Sequence, residues 1–119
     1  MIVEKIENHG VVYFTLNRPK AGNSLSLKLL KDLRSQIDAI SEDEESKSTS
    51  KVVIIRSIGP IFCSGHDLKE IKGIYGKDEA TQKKSFEELF QVCNGVMNAI
   101  RESRLIFIAQ VEGIATGSF

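Results

Sequence analysis

The stretch IFCSGHDLKEI, residues 61–71, gathers five groups able to do chemistry: Cys63, Ser64, His66, Asp67 and Glu70. A nucleophilic reading would pair Cys63 or Ser64 with His66 as base and Asp67 behind it. Triad partners come from separate segments so that their side chains converge, and neighbours within one turn do not. These residues therefore read as the lining of a polar turn. A metal reading would use Cys63, His66 and Asp67 with His9 or Cys93. The chain has no paired Cys or His spacing of the structural-zinc kind. Cys93 falls on an apolar helical stripe and reads as a core residue. GIYGKD (73–78) has its glycines too close together for a phosphate loop, and Asp78 stands where Ser or Thr is required. The acidic run at 42–45 lacks calcium-loop spacing and reads as solvated.

What remains is backbone chemistry, and it depends on the elements that hold the loops. Ile2–Ile6 and Val11–Leu16 are short β-prone runs separated by Asn8, His9 and Gly10, which predicts a hairpin. NRPKAGNS (17–24) breaks the pattern at Pro19 and Gly22. Apolar residues at 27, 30, 33, 37 and 40 predict a helix, with Ser24 or Ser26 as its N-cap. SEDEESKSTS (41–50) reads as a solvated loop. VVIIRS (52–57) reads as a strand covered on both faces, and IGPIFCSG as a loop. Lys69–Lys84 reads as irregular or weakly helical. Apolar positions 86, 89, 90, 93, 97 and 100 predict a second helix, and LIFIAQV (105–111) a second buried strand. Strands alternate with helices, so the class is α/β with right-handed crossovers.

Two of these strands run into loops of small residues, FCSGHD and GIATGS. The ends of adjacent parallel strands lie side by side, and Gly65 and Gly117 tolerate unusual φ/ψ. One backbone N–H from each loop, converging on a single oxygen, would make an oxyanion hole.

Composition fits a soluble globular domain. The chain has 119 residues, 41% hydrophobic and 27% charged, with sixteen basic and sixteen acidic side chains. Zero net charge offers no electrostatic case for nucleic acid or an anionic membrane surface. Two cysteines imply no disulfide framework and fit a reducing compartment. No signal peptide, transit peptide or membrane span is visible.

LNRPKAGNSLS (16–26), GPIFCSGHDLKEI (59–71) and VEGIATGS (111–118) resemble, in order and spacing, three signature segments of the enoyl-CoA hydratase/isomerase (crotonase) family. The wording FCSGHDLKE is most similar to a mitochondrial-type branch of that family. The resemblance spans the chain and implies the N-terminal part of a right-handed spiral of ββα units, trimers or dimers of trimers, and binding of acyl-CoA thioesters. It implies that the backbone N–H groups of His66 and Ser118 hold the thioester oxygen. Ser64, His66, Asp67, Leu68 and Gly117 would flank the acyl-CoA, with Lys20, Ala21 and Gly22 along the adenine end. Coenzyme A is then part of the substrate, and no separate cofactor or metal is expected.

Three departures shape the functional expectation. The two catalytic glutamates of family hydratases would follow the second oxyanion loop, beyond this sequence, and Glu112 does not replace them. No residue here is assignable as general acid or base. Ser118 and Phe119 stand where Gly or Ala is usual, and a carboxylate on Phe119 would oppose an oxyanion. The expectation is an acyl-CoA-binding protein of fatty acid metabolism, hydratase- or isomerase-like, inactive alone. The alternatives are a non-catalytic binding or assembly partner of a full-length family trimer and a hydrolase using Cys63 or Ser64. The strands at 52–57 and 105–111 are expected to expose apolar edges.

Overall fold

His9 and Gly10 have φ of 51° and 80° and join β1 (Val3–Asn8) to β2 (Val11–Leu16), with Asn8 opposite Val11. Two successive left-handed residues make the tight turn whose twist suits a hairpin. This computed structural model describes residues 3–42 and 51–115. Ile2 and the 43–50 part of the polar run lie outside them, as do residues 116–119.

Beyond β2 the chain makes a 3-10 turn at Pro19–Ala21 and then α1 (Leu27–Glu42). Ser26, not Ser24, caps α1: its Oγ accepts the Leu29 N–H at 3.1 Å and its carbonyl the Leu30 N–H at 3.0 Å. Ser41 and Glu42 finish this helix and do not belong to the loop that the sequence suggests. After it β3 (Val52–Ser57) pairs parallel with β2, Val12 opposite Val53 and Phe14 opposite Ile55.

Two stretches that read as irregular are ordered. Within IGPIFCSG, Ile61–Cys63 forms β4. Within 69–84 there are two helices, α2 (Leu68–Tyr75) and the start of α3 (Glu79–Glu102). Gly73 and Gly76 weaken the helical signal, but Asp67 and Asp78 supply the caps. Asp67 accepts the N–H groups of Lys69 and Glu70, and Asp78 that of Thr81.

From α3 the chain enters β5 (Ile106–Ala109), which pairs parallel with β3, and then β6 (Ile114–Ala115), which pairs parallel with β4. The main sheet has the order β1-β2-β3-β5, so the class is α/β as expected. β3 is paired on both sides, and only β5 carries the exposed strand edge foreseen for both.

The core lies on one face of this sheet. Val12, Phe14 and Leu16 of β2 and Val53 and Ile55 of β3 meet Leu29, Leu30, Leu33, Ile37 and Ile40 of α1, with Leu89 and Val96 of α3. Cys93 packs against this cluster from α3, as its stripe position predicts. Each such side chain contributes about 1.5–3 kcal/mol when fully buried.

Among the described residues the other face is left largely uncovered. Ile6, Tyr13, Ile54 and Ile108 share one register row, and Val11, Val52 and Ile106 share the next. Ile6, Ile106 and Ile108 are 50%, 62% and 48% exposed. The expectation that β3 and β5 are covered on both faces is therefore wrong for the described residues. A run of β-branched residues reports strand preference, while burial depends on what the rest of the chain supplies.

Candidate functional site

Loop 17–26 and segment 63–67 are sewn together by main chain. The Ser64 N–H donates to the Gly22 carbonyl at 3.1 Å, the Leu25 N–H to the Gly65 carbonyl at 2.7 Å, and the Asp67 N–H to the Leu25 carbonyl at 3.3 Å. The last two bonds form a parallel bridge between Leu25 and His66. Gly65 has φ of 87° and turns the chain between them, a conformation that costs a side-chain-bearing residue dearly.

This sewing aims a donor. The Gly65 carbonyl and the His66 N–H belong to one planar trans peptide and point in opposite directions. Because Leu25 holds that carbonyl, the His66 N–H is directed away from loop 17–26. The orientation comes from the peptide plane and owes nothing to the imidazole.

Asn23 sets the neighbouring segment. It is fully buried with φ of 51°, and its side-chain amide donates to the carbonyls of Ile58 and Ile61 at 2.9 and 2.8 Å. Its Oδ1 accepts the Arg18 N–H at 2.7 Å. One buried amide thereby fixes both the approach to β4 and the start of loop 17–26. Gly22, φ 61°, lies so close that an added Cβ would stand 3.2 Å from Ser64 Oγ.

The carboxylates of this stretch are structural. Asp67 Oδ1 caps α2, and its Oδ2 meets Arg18 at 3.2 Å. Burial raises the Asp67 pKa, but the Glu70 N–H, the Arg18 guanidinium and the Lys69 N–H outweigh it and hold the carboxyl below its usual range. Glu70 Oε1 accepts the Leu27 N–H at 2.9 Å, so a side chain of α2 satisfies the first turn of α1. Cys63 is buried, and its thiol pKa is raised by that burial, partly offset by the Gly65 N–H at 3.4 Å from Sγ. Such a thiol is protonated and shielded, a poor nucleophile. His9 sits in the hairpin turn, at the opposite end of β2 from loop 17–26. No group of three or more His, Cys, Asp or Glu among the described residues could hold a metal.

These segments wall a concavity of about 330 Å³, lined by Arg18, Lys20, Ala21, Ser24, Ser64, His66, Asp67, Leu68 and Lys69. It brings together Lys20, Ala21, Ser64, His66, Asp67 and Leu68, with Gly22 bonded at its back. Sequence reasoning overlooked Arg18 and Lys69 here. Lys69 follows Asp67 closely enough to have been suspected, whereas the Arg18 role depends on a partner 49 positions away. A larger groove, about 640 Å³, lies between α1 and α3 and contains none of these residues.

The second loop is approached but not reached. Ile61 pairs with Ile114 and Cys63 with Ala115, so β4 and β6 run side by side. The adjacency comes from this small sheet, not from direct extension of β3 and β5. Gly113, φ 87°, permits the approach, since a Cβ there would collide with the Pro60 carbonyl oxygen. Gly117, Ser118 and Phe119 lie outside the described residues. Glu112 is exposed and accepts from Gln110 at 2.9 Å.

The fold, with β4 paired to β6, is that of a crotonase-type α/β unit. The family model described as enoyl-CoA hydratase/isomerase matches residues 6–118, and the chain belongs to that family. It is 41% identical over 112 residues to the rat mitochondrial enoyl-CoA hydratase domain-containing protein 3, covering 94% of this chain and 34% of that protein. The rat mitochondrial methylglutaconyl-CoA hydratase is 34% identical over 112 residues, with 93% and 32% covered.

Among solved structures, human enoyl-CoA hydratase domain-containing protein 3 superposes with a TM-score of 0.79 at 35% identity, covering 95% of this chain and 41% of that one. An enoyl-CoA hydratase from Bacillus anthracis gives 0.80 at 29%, covering 97% and 41%. The chain thus spans about a third of the length of the curated relatives it matches. Its fold is a partial crotonase fold, as the resemblance implied.

Proposed function

We propose that this chain forms the acyl-CoA-binding part of a crotonase-type site in fatty acyl thioester metabolism. The carrying observation is the Leu25 N–H to Gly65 carbonyl bond, which aims the His66 N–H away from loop 17–26. His66 N–H and Ser118 N–H are the two donors to the thioester oxygen in this reading. Preorganised donors of that kind stabilise an enolate, and removing one raises the barrier by about 3 kcal/mol. Ser64, Asp67, Leu68 and Gly117 flank the thioester, and Lys20, Ala21 and Gly22 the adenine end. Coenzyme A belongs to the substrate, and no separate cofactor is required.

In this reading no described carboxylate near the site takes the acid or base role. Asp67 and Glu70 are committed to helix ends and Glu112 to Gln110. The 119-residue chain therefore binds thioesters without turning them over. Whole relatives named as mitochondrial suggest a mitochondrial setting, and the family resemblance suggests trimers or hexamers. Calorimetric titration with butyryl-CoA, beside a crotonyl-CoA hydration assay, tests the reading. Binding without turnover is expected. Brisk hydration, or no preference for butyryl-CoA over free coenzyme A, contradicts it.

One observation favours a second role as assembly partner of a full-length family member. Ile6, Ile106 and Ile108 form an exposed apolar face on the main sheet. Co-elution of this chain with such a protein on size exclusion supports that role, and separate elution removes it.

A further inference from the structure

The His66 peptide is held by main-chain bonds, and those bonds are bracketed by one side chain. Arg18 Nη1 donates to the Ser24 carbonyl at 2.9 Å and to Ser24 Oγ at 3.2 Å. Its Nη2 donates to Asp67 Oδ2 at 3.2 Å. Ser24 precedes Leu25 and Asp67 follows His66. One planar guanidinium therefore spans the two segments across the Leu25–His66 bridge. The pair is shielded, with the Arg18 and Asp67 side chains only 25% and 14% exposed. Shielding keeps the attraction stronger than that of a surface pair.

We propose that Arg18 is the positioning residue of this site: by bracing Ser24 against Asp67, it holds the Gly65–His66 peptide in the one orientation that presents its N–H. The catalytic meaning of this rests on the reading of His66 as a thioester donor; the mechanical statement does not. A peptide tilted by tens of degrees would still occupy the loop but would miss the oxygen, because donor geometry weakens steeply with angle. Arg18 thus acts on the thioester through the backbone, without touching the reacting atoms.

Two variants separate bracing from simple stabilisation. Arg18→Ala removes the brace. Asp67→Asn removes the ion pair but keeps an N-cap acceptor of equal quality, so α2 retains its start. Backbone ¹⁵N relaxation on the ligand-free chain reads the result directly. In the parent, the Gly65, His66 and Asp67 amides should be as ordered as the strands, with order parameters near 0.85. Both variants are expected to drop His66 below about 0.6, while Val12, Phe14, Val53 and Ile55 stay unchanged and report an intact fold. If Arg18→Ala unfolds, Asp67→Asn decides alone.

Order at 65–67 equal to that of the strands in Asp67→Asn would overturn the proposal, even if its melting temperature falls. A second readout is the ratio of affinities for butyryl-CoA and its thioether analogue S-butyl-CoA, which lacks the carbonyl oxygen. It should collapse toward one in the variants. Absence of any such ratio in the parent sinks the donor reading of His66, and the relaxation data still decide the role of Arg18.

Discussion

At the scale of single residues, Cys63, Asp67 and Glu70 of 61–71 are occupied in holding a loop. Cys63 is buried with a raised pKa, and Cys93 is partly buried with its pKa raised by the same cause. Both should react with a thiol-directed reagent at pH 7 far more slowly in the folded chain than in denaturant. Rapid labelling of folded Cys63 would revive the nucleophilic reading. Asp67 makes a pH prediction. Its folded carboxyl titrates below the unfolded value of about 3.9, so its contribution is complete above that value. It is lost as pH falls through the lowered folded pKa. Denaturant midpoints between pH 5 and 2 should fall less steeply for Asp67→Asn than for the parent. Identical slopes would mean that the capped, Arg18-paired carboxylate adds nothing. The place of Cys93 was legible from its stripe, but the Asp67 and Glu70 pairings were not, because their Arg18 and Leu27 partners lie 49 and 43 positions away.

At the scale of elements, the long periodic segments were readable and the short ones were not. Apolar spacing placed α1 and most of α3, since a core face imposes its period on the sequence, and the break at Asn8–Gly10 between β-prone runs placed the hairpin. β4 and β6 are three and two residues long and carry no period. They exist because Gly113 lets one backbone reach the other. Gly113→Ala would force a Cβ onto the Pro60 carbonyl and strain a φ of 87°. We expect it to cost about 1–3 kcal/mol and to detach β6. That predicts fast hydrogen exchange at Ile114 while β2 and β3 stay protected. Unchanged protection at Ile114 would show that the approach of the two strands does not need glycine. The helix α2 was hidden for a different reason: Gly73 lowers its propensity, and its Asp67 flank acts through a side-chain cap that periodicity does not register, as Asp78 does for α3.

At the scale of the whole molecule, the sheet is packed on one side and open on the other. Strand composition could not reveal this, because Ile54 and Ile55 look alike in sequence and face opposite ways. The open face predicts self-association: Ile108→Lys should lower light scattering at high concentration without shifting the denaturation midpoint by more than about 0.5 kcal/mol. Scattering unaffected by that charge would locate the adhesive surface elsewhere. The central claim, though, concerns one N–H group of the assembled loop pair. The most direct measurement replaces the 65–66 amide by an ester and compares affinities for butyryl-CoA and S-butyl-CoA with those of the parent and of His66→Ala. His66→Ala should keep the parent's preference for the thioester, and the ester should lose about tenfold of it, or ~1.4 kcal/mol. A preference that survives the ester, or that vanishes on His66→Ala alone, would contradict a backbone donor at His66.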